Sequence, residues 1–224
     1  MLAPWESHNN GSASKILCRM GYTGGGLGRH GEGITSPIDI SSGTRLHRNG
    51  IGSPPRVENK VHPWPPGTTL IAGDSILCGV DESRLERYNA KVRAFKGASI
   101  DDMYDYLKPL LMKNPSVVVL HVGTNDAPTK SCDEIYKELR NLEEYIEMTV
   151  PRVKVYFSTP TVRTDNTKAN ATLVNVTKKL KKLCLNLVTN DNIIPIGVGK
   201  RGLHLNEKGS GRLALNYIDL MRRV

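Results

Sequence analysis

Aromatic residues are scarce in this sequence, only 5% of its 224 positions, and no long apolar run is present. Its most hydrophobic stretch, Val117–Val122, has the length of a strand. A helix that spans a bilayer needs about 20 apolar residues, so no membrane partner is expected. Cysteine is sparse and scattered: Cys18, Cys78, Cys132 and Cys184 form neither a CxxC pair nor a Cys/His ligand spacing. The four read as reduced thiols of an intracellular protein, and no zinc site, other metal or cofactor is expected. The opening MLAPWESHNN lacks the basic and then apolar run of a secretory signal, so secretion is not expected either. The sequons at Asn170 and Asn175 then read as helix-surface residues. Acid is in deficit. With 22 Asp and Glu against 31 Lys and Arg, the net charge is +9, which favours an acidic partner such as nucleic acid without identifying one.

What the sequence does hold divides into two unlike parts. Residues 1–66 carry closely spaced glycines, the histidines His8, His30, His47 and His62, and few bulky apolar side chains. Such a stretch buries too little surface to offset its ordering entropy and is expected to be largely flexible alone. Within it we distinguish a tail at 1–13, a glycine-rich segment at 14–52 and a proline-rich linker at 53–67, which ends in VHPWPPG. From 68 to 224 apolar runs alternate with helical periods.

In that second part Thr68–Ala72 reads as a buried strand and Lys91–Phe95 as a second, weaker one. Ile100–Leu111 has a helical apolar face, and Ser116–Val122 is hydrophobic throughout, as a central strand covered on both faces should be. Ile135, Leu139, Leu142 and Ile146 mark a helix, followed by a strand at Lys154–Ser158. Leu173, Val176, Leu180, Leu183 and Leu187 make a longer helical stripe; Ile193–Ile196 reads as the last strand and Leu213–Met221 as a closing helix. This alternation predicts an α/β fold with about five parallel strands and helices on both faces. Ligands of such sheets bind at the carboxyl ends of the strands.

The residues suited to chemistry fall there. Ser75 follows the first strand in a Gly73-Asp74-Ser75 turn, an exposed place for a nucleophile. Gly97 after the second strand could present a backbone N–H at the same mouth, and the third strand ends in Gly123-Thr124-Asn125-Asp126. An Asn amide there can donate to a developing oxyanion. His204, in a loop before the last helix, is placed as a general base. In order and spacing these four positions resemble the blocks of the SGNH (GDSL-type) hydrolases, over residues 68 to 224. That resemblance implies a three-layer α/β/α flavodoxin-like fold and hydrolysis of acyl or acetyl esters. It assigns attack to Ser75, proton transfer to His204, and the oxyanion hole to Ser75, Gly97 and Asn125. One departure stands out. The family's last block is Asp-x-x-His, and the position three before His204 is Arg201. A cation cannot accept from the imidazole and disfavours the imidazolium, so at most a Ser-His dyad is expected unless Asp191, Glu207 or a carbonyl substitutes.

The glycine-rich segment places apolar residues regularly between its glycines. Ile16, Leu17 and Met20 share one helical face ahead of Gly21-Tyr22; Gly26-Leu27-Gly28, Gly33-Ile34, Pro37-Ile38 and Gly50-Ile51-Gly52 follow. A GxGxxG-like string invites a dinucleotide reading, but no strand precedes it and no helical pattern follows. The segment resembles a G-patch, with Tyr22 in the place of a tryptophan. That implies a nucleic-acid-associated, nuclear setting, with RNA met directly or indirectly and a DEAH-box RNA helicase as the partner. Ile16, Leu17, Met20, Leu27 and Ile51 would be the anchors, the glycines allowing close approach. The pairing of the two motifs also resembles that in some retroelement-encoded proteins.

Lys178, Lys179, Lys181 and Lys182 interleave with Leu180 and Leu183, the pattern of a solvated helix face. Three functions stay open: a helicase-binding protein, a serine esterase that the G-patch only targets, and an inactive hydrolase scaffold.

Overall fold

A computed structural model of the chain describes residues 62–184 and 186–224. The tail, every G-patch position and the linker up to residue 61 lie outside the described residues. Five strands form one parallel sheet: β1 (Thr69–Gly73), β2 (Ala90–Ala94), β3 (Val117–His121), β4 (Lys154–Ser158) and β5 (Leu187–Val188). Their spatial order is β2-β1-β3-β4-β5. Four helices connect or follow them: α1 (Met103–Leu111), α2 (Cys132–Thr149), α3 (Thr167–Leu183) and α4 (Glu207–Met221).

The sheet is covered on both faces because its central strands are apolar at odd and even positions alike. Leu70, Ala72, Val118, Leu120, Val155 and Phe157 point to one side, where they pack against Met103 and Leu107 of α1, Leu139 and Leu142 of α2, and Leu173 and Val176 of α3. Ile71, Val119 and Val188 point to the other side, against Leu213, Tyr217 and Ile218 of α4. Each fully buried Leu, Ile or Val here contributes about 1.5–3 kcal/mol, which far exceeds what helix propensity supplies. The helix starts are set locally. Ser131 and Glu134 form a reciprocal capping box at α2, and Asn166 and Asn206 cap α3 and α4 through their side-chain oxygens. Removing such a cap costs about 1 kcal/mol.

The expected three-layer architecture is therefore present, with three local corrections. Leu187, read as the end of the α3 stripe, lies in strand β5, because α3 stops at Leu183 and the chain turns to pair Leu187 and Val188 with Phe157 and Ser158 of β4. Ile193–Ile196, read as the last strand, instead enters a single 3₁₀ turn at Pro195–Gly197; Pro195 has no N–H to give to a ladder. The closing helix also begins earlier than its apolar pattern, at Glu207, running through Gly209 and Gly211. Gly209 is needed for packing: a Cβ there would lie 2.1 Å from the Gly197 carbonyl oxygen. Just ahead of the sheet Trp64 is held to the domain, its N–H donating to Lys113 O at 2.7 Å and its ring lying under the Lys113 ammonium.

In this strand order the chain leaves β1 toward β2 on one side and β3 leads to β4 on the other. The direction reverses between β1 and β3, and at the carboxyl ends of such a switch point open α/β sheets have their ligand crevice.

Candidate active site

The strands β1 and β3 end against each other at unusually close range. A Cβ on Gly73 would lie 1.9 Å from the His121 carbonyl oxygen, so only glycine fits there. The close approach lets Asp74 N donate to His121 O at 3.0 Å. Asp74 then caps a 3₁₀ turn, Ser75–Gly79, by accepting from Ile76 N at 2.9 Å. Ser75 is the first residue of that turn. The leading N–H groups of a helical turn have no internal acceptor, so the Ser75 amide is available beside its own hydroxyl.

His204 reaches this serine from the far end of the sequence. Its Nε2 lies 3.0 Å from Ser75 Oγ across 129 positions, within hydrogen-bond reach. The loop that carries it is closed by Gly199 N donating to His204 O at 2.7 Å and by an antiparallel bridge of Val198 with Leu205. Arg201 is exposed in that loop. Among the described residues, none accepts a hydrogen bond from His204 Nδ1. Asp191 is instead engaged by Lys181, and Glu207 stands in the first turn of α4.

The two remaining predicted positions come to the same edge. Gly97 is exposed with φ +77 and open space where a Cβ would be. Asn125 Nδ2 donates to Ala98 O at 2.9 Å, which ties the amide to the residue after Gly97. An Asn amide has two N–H bonds; one is used on Ala98, leaving the other for a ligand. Asp126 secures the same loop, with Oδ2 accepting from Ile100 N at 3.1 Å and Oδ1 from Lys130 Nζ at 2.8 Å. Lys130 also binds Glu138; burial disfavours its charge, but the two carboxylates outweigh it and push its pKa up to about 12.

Several polar residues around this edge were given no role from the sequence. Asp74 is buried, and burial pushes its carboxyl from 3.8 up to about 6, the nearby Asp126 adding to the rise while bonds from Ile76 and Thr124 oppose it. Its Oδ2 makes no well-formed hydrogen bond. His121 ends β3 fully covered, with Nδ1 2.8 Å from Ser158 Oγ. Burial pushes this imidazole down to about 4, so it is neutral near pH 7. Ser158 is shared with Tyr217 and Asn190, which completes a buried polar network behind this edge. Arg163, in the loop after β4, was also unmarked; it is 7% exposed and donates to Thr124 O at 3.0 Å.

Of the α3 lysines, Lys178, Lys181 and Lys182 are exposed as their pattern predicts, whereas Lys179 is half-buried against α2. Lys179 pairs with Asp133 over the Tyr136 ring, and Lys181 pairs with Asp191. Among the described residues no group of His, Cys, Asp and Glu is arranged to hold a metal, and no helix is long and apolar enough to cross a membrane.

Comparison with known proteins separates the two parts of the chain. A G-patch domain model matches residues 9–54, a few residues beyond each end of the segment read from the motif. Curated relatives match in the same region. The Anopheles gambiae zinc finger CCCH-type with G patch domain-containing protein is 55% identical over 38 residues, covering 16% of this chain and 7% of that protein. Its Homo sapiens counterpart is 35% identical over 75 residues, covering 26% of this chain and 14% of that protein. The chain thus spans only a small part of the length of these relatives. Solved structures match the other region. A GDSL-like lipase from Bacteroides thetaiotaomicron superposes with TM-score 0.59 at 12% identity, over 70% of this chain and 88% of that one. A member of the lipolytic G-D-S-L family from Veillonella parvula gives 0.58 at 18%, over 70% and 99%. A catalytic mutant of an acetylxylan esterase from Geobacillus stearothermophilus gives 0.55 at 16%, over 70% and 94%. The chain therefore joins a G-patch domain at residues 9–54 to a domain with the fold of the SGNH, or GDSL-type, hydrolases.

Proposed function

We propose that the α/β domain is a serine ester hydrolase acting through a Ser75–His204 dyad, and that the G-patch attaches it to RNA-associated assemblies. The observation that carries the enzymatic reading is the 3.0 Å contact of His204 Nε2 with Ser75 Oγ, at a sheet edge that also holds Gly97 and Asn125. In this mechanism Ser75 Oγ attacks the ester carbonyl while His204 takes the hydroxyl proton. The C=O pair moves onto oxygen, which the Ser75 and Gly97 N–H groups and the free Asn125 N–H receive. Collapse expels the alcohol, protonated by His204, and leaves an acyl-serine. Water then attacks by the same route, with His204 as base, and the carboxylic acid departs.

Arg201 leaves the imidazolium without an orienting carboxylate. In a serine protease that loss costs on the order of 10⁴ in rate, so turnover is expected to be slow but dependent on the serine. The test is hydrolysis of short-chain p-nitrophenyl esters by wild type, Ser75→Ala and His204→Ala. Both variants should fall to background; a wild type no faster than Ser75→Ala would leave the domain a scaffold without chemistry.

The G-patch match at residues 9–54 supports a second activity in the same chain. We infer that this segment binds a DEAH-box RNA helicase, in a nuclear, RNA-bound setting, with Ile16, Leu17, Met20, Leu27 and Ile51 as anchors. Pull-down of such helicases should be lost in Leu27→Glu; equal capture by wild type and variant would remove the reading. In this scheme the esterase acts where the helicase complex places it.

A further inference from the structure

Arg163 lies between the two loops that hold Asn125 and His204. It is buried, and a buried guanidinium persists only where its charge and donors are met. Here Nη1 donates to Thr124 O at 3.0 Å, immediately before Asn125. Nε and Nη2 form a two-pronged bond to Asp165, at 2.8 and 2.6 Å. The backbone of the same turn continues the chain of contacts, since Thr164 N and Asp165 N both point to Gly202 O, at 2.7 and 3.3 Å. Gly202 has φ +76, and a Cβ there would lie 2.6 Å from Asp165 N, so the two loops touch without room for a side chain. Two residues further on is His204. A third tie fixes the turn from outside, Arg163 N donating to Asn170 Oδ1 on α3 at 3.0 Å.

We propose that Arg163 and Asp165 form a clamp that positions the oxyanion donor Asn125 and the base His204 relative to each other. The catalytic part of this inference rests on the hydrolase reading given above. In a triad the carboxylate next to the imidazole fixes the histidine. Here that position is Arg201, and the loop carrying His204 is held instead through its backbone at Gly202, by a turn that the guanidinium also fastens to Thr124. The clamp touches neither substrate nor reacting atoms. Lysine cannot replace it, because a single ammonium offers no planar fork that binds Asp165 twice while reaching Thr124. A clamp of this kind acts on the geometry of the transition state, where small misplacements are costly, and much less on substrate affinity.

The experiment uses the full chain with Arg163→Lys, Asp165→Asn and the double variant. Ester hydrolysis should show kcat reduced about 10- to 100-fold with KM changed less than about threefold. The double variant should be no slower than the slower single one, because the two residues act as one unit. Amide hydrogen exchange supplies a readout that needs no turnover. In Arg163→Lys the amides of 124–126 and of 202–205 should exchange faster together, while those of β3 stay protected. Unchanged kcat, a change confined to KM, or additive losses would each overturn the proposal. If wild type turns over no faster than Ser75→Ala, the hydrolase reading fails, and the clamp is judged on exchange alone: loosening of both loops sustains it, and loosening of one or neither overturns it. Should Arg163→Lys not fold, Asp165→Asn decides by the same criteria.

Discussion

Asp74 and His121 meet at the end of β1 and β3, and burial moves their protonation in opposite directions. The Asp74 carboxyl is up at about 6 from 3.8, and the His121 imidazole is down at about 4 from 6.5. For Asp74 the folded state binds a proton more tightly than the unfolded chain, so its contribution to stability is present at low pH and is lost as pH rises from 3.8 through about 6. For His121 the unfolded chain is the tighter binder, so stability is lost as pH falls from 6.5 through about 4. At about 1.4 kcal/mol per unit of pKa difference, each contribution changes by about 2 kcal/mol between roughly pH 7.5 and pH 4.5. The two nearly cancel in the wild type. Asp74→Asn breaks the balance while keeping an oxygen to cap Ile76 N, since Asn is as good a cap as Asp.

Urea unfolding of wild type and Asp74→Asn at the two pH values isolates the contribution, because the surface carboxylates titrate alike in both proteins. The variant should gain about 2 kcal/mol relative to wild type on going from the lower to the higher pH. His121→Asn should show the reverse slope, losing about the same amount relative to wild type over that rise. A difference between Asp74→Asn and wild type that does not vary with pH would refute the argument, since it would mean that the carboxyl titrates alike folded and unfolded.

Gly73→Ala should destabilise the domain by about 3 kcal/mol or more, because its Cβ would meet backbone, the His121 carbonyl at 1.9 Å, and neither strand can withdraw without breaking the β1–β3 ladder; urea unfolding or loss of soluble expression reads this. Gly202→Ala combines a positive φ with a Cβ 2.6 Å from Asp165 N, and should cost about 1–3 kcal/mol and lower kcat together. Arg201→Asp restores the missing carboxylate three positions before His204 and should raise ester kcat at least about 10-fold. An unaltered or reduced kcat in that variant would mean that the loop does not bring position 201 to Nδ1.

The fold was legible where hydrophobic periodicity is unbroken. β3 is a run of Val117, Val118, Val119 and Leu120, and a strand covered on both faces leaves no other reading. The helices α1, α2 and α3 declared themselves through apolar residues at helical spacing. The misread segments are those in which local pattern competes with chain geometry. Leu187 continues the α3 period by accident of spacing, and only the partner strand β4 reveals it as β5. Ile193–Ile196 is apolar, yet Ile194 and Ile196 are half or more exposed, and Pro195 between them cannot join a ladder. The start of α4 was hidden by Gly209 and Gly211, poor helix formers whose use, in the first case, is close contact with Gly197.

The site divides along the same line. Ser75, Gly97, Asn125 and His204 stood out as candidates because each follows a strand or precedes a helix at a recognisable punctuation mark, and the structure puts Ser75 Oγ within reach of His204 and Asn125 Nδ2 on Ala98 O, next to Gly97 in the chain. Arg163 and Asp165 were not readable, since TPTVRTDN has the composition of any polar loop and their partners Thr124 and Gly202 lie about 40 positions away on either side. Long-range hydrogen bonds leave no periodic trace in a sequence. This bears on Arg201 directly. Reading the last block by its motif alone equates a missing aspartate with a missing function. The fixing of a histidine, however, is a property of its whole loop, and here that loop is fastened through Gly202, Asp165 and Arg163 to the loop of Asn125. On the proposed hydrolase reading, Arg201 would remove the stabilisation of the imidazolium and not the placement of the imidazole. The penalty should therefore fall on rate at fixed geometry, leaving a slow serine-dependent hydrolase that a single carboxylate at position 201 would accelerate.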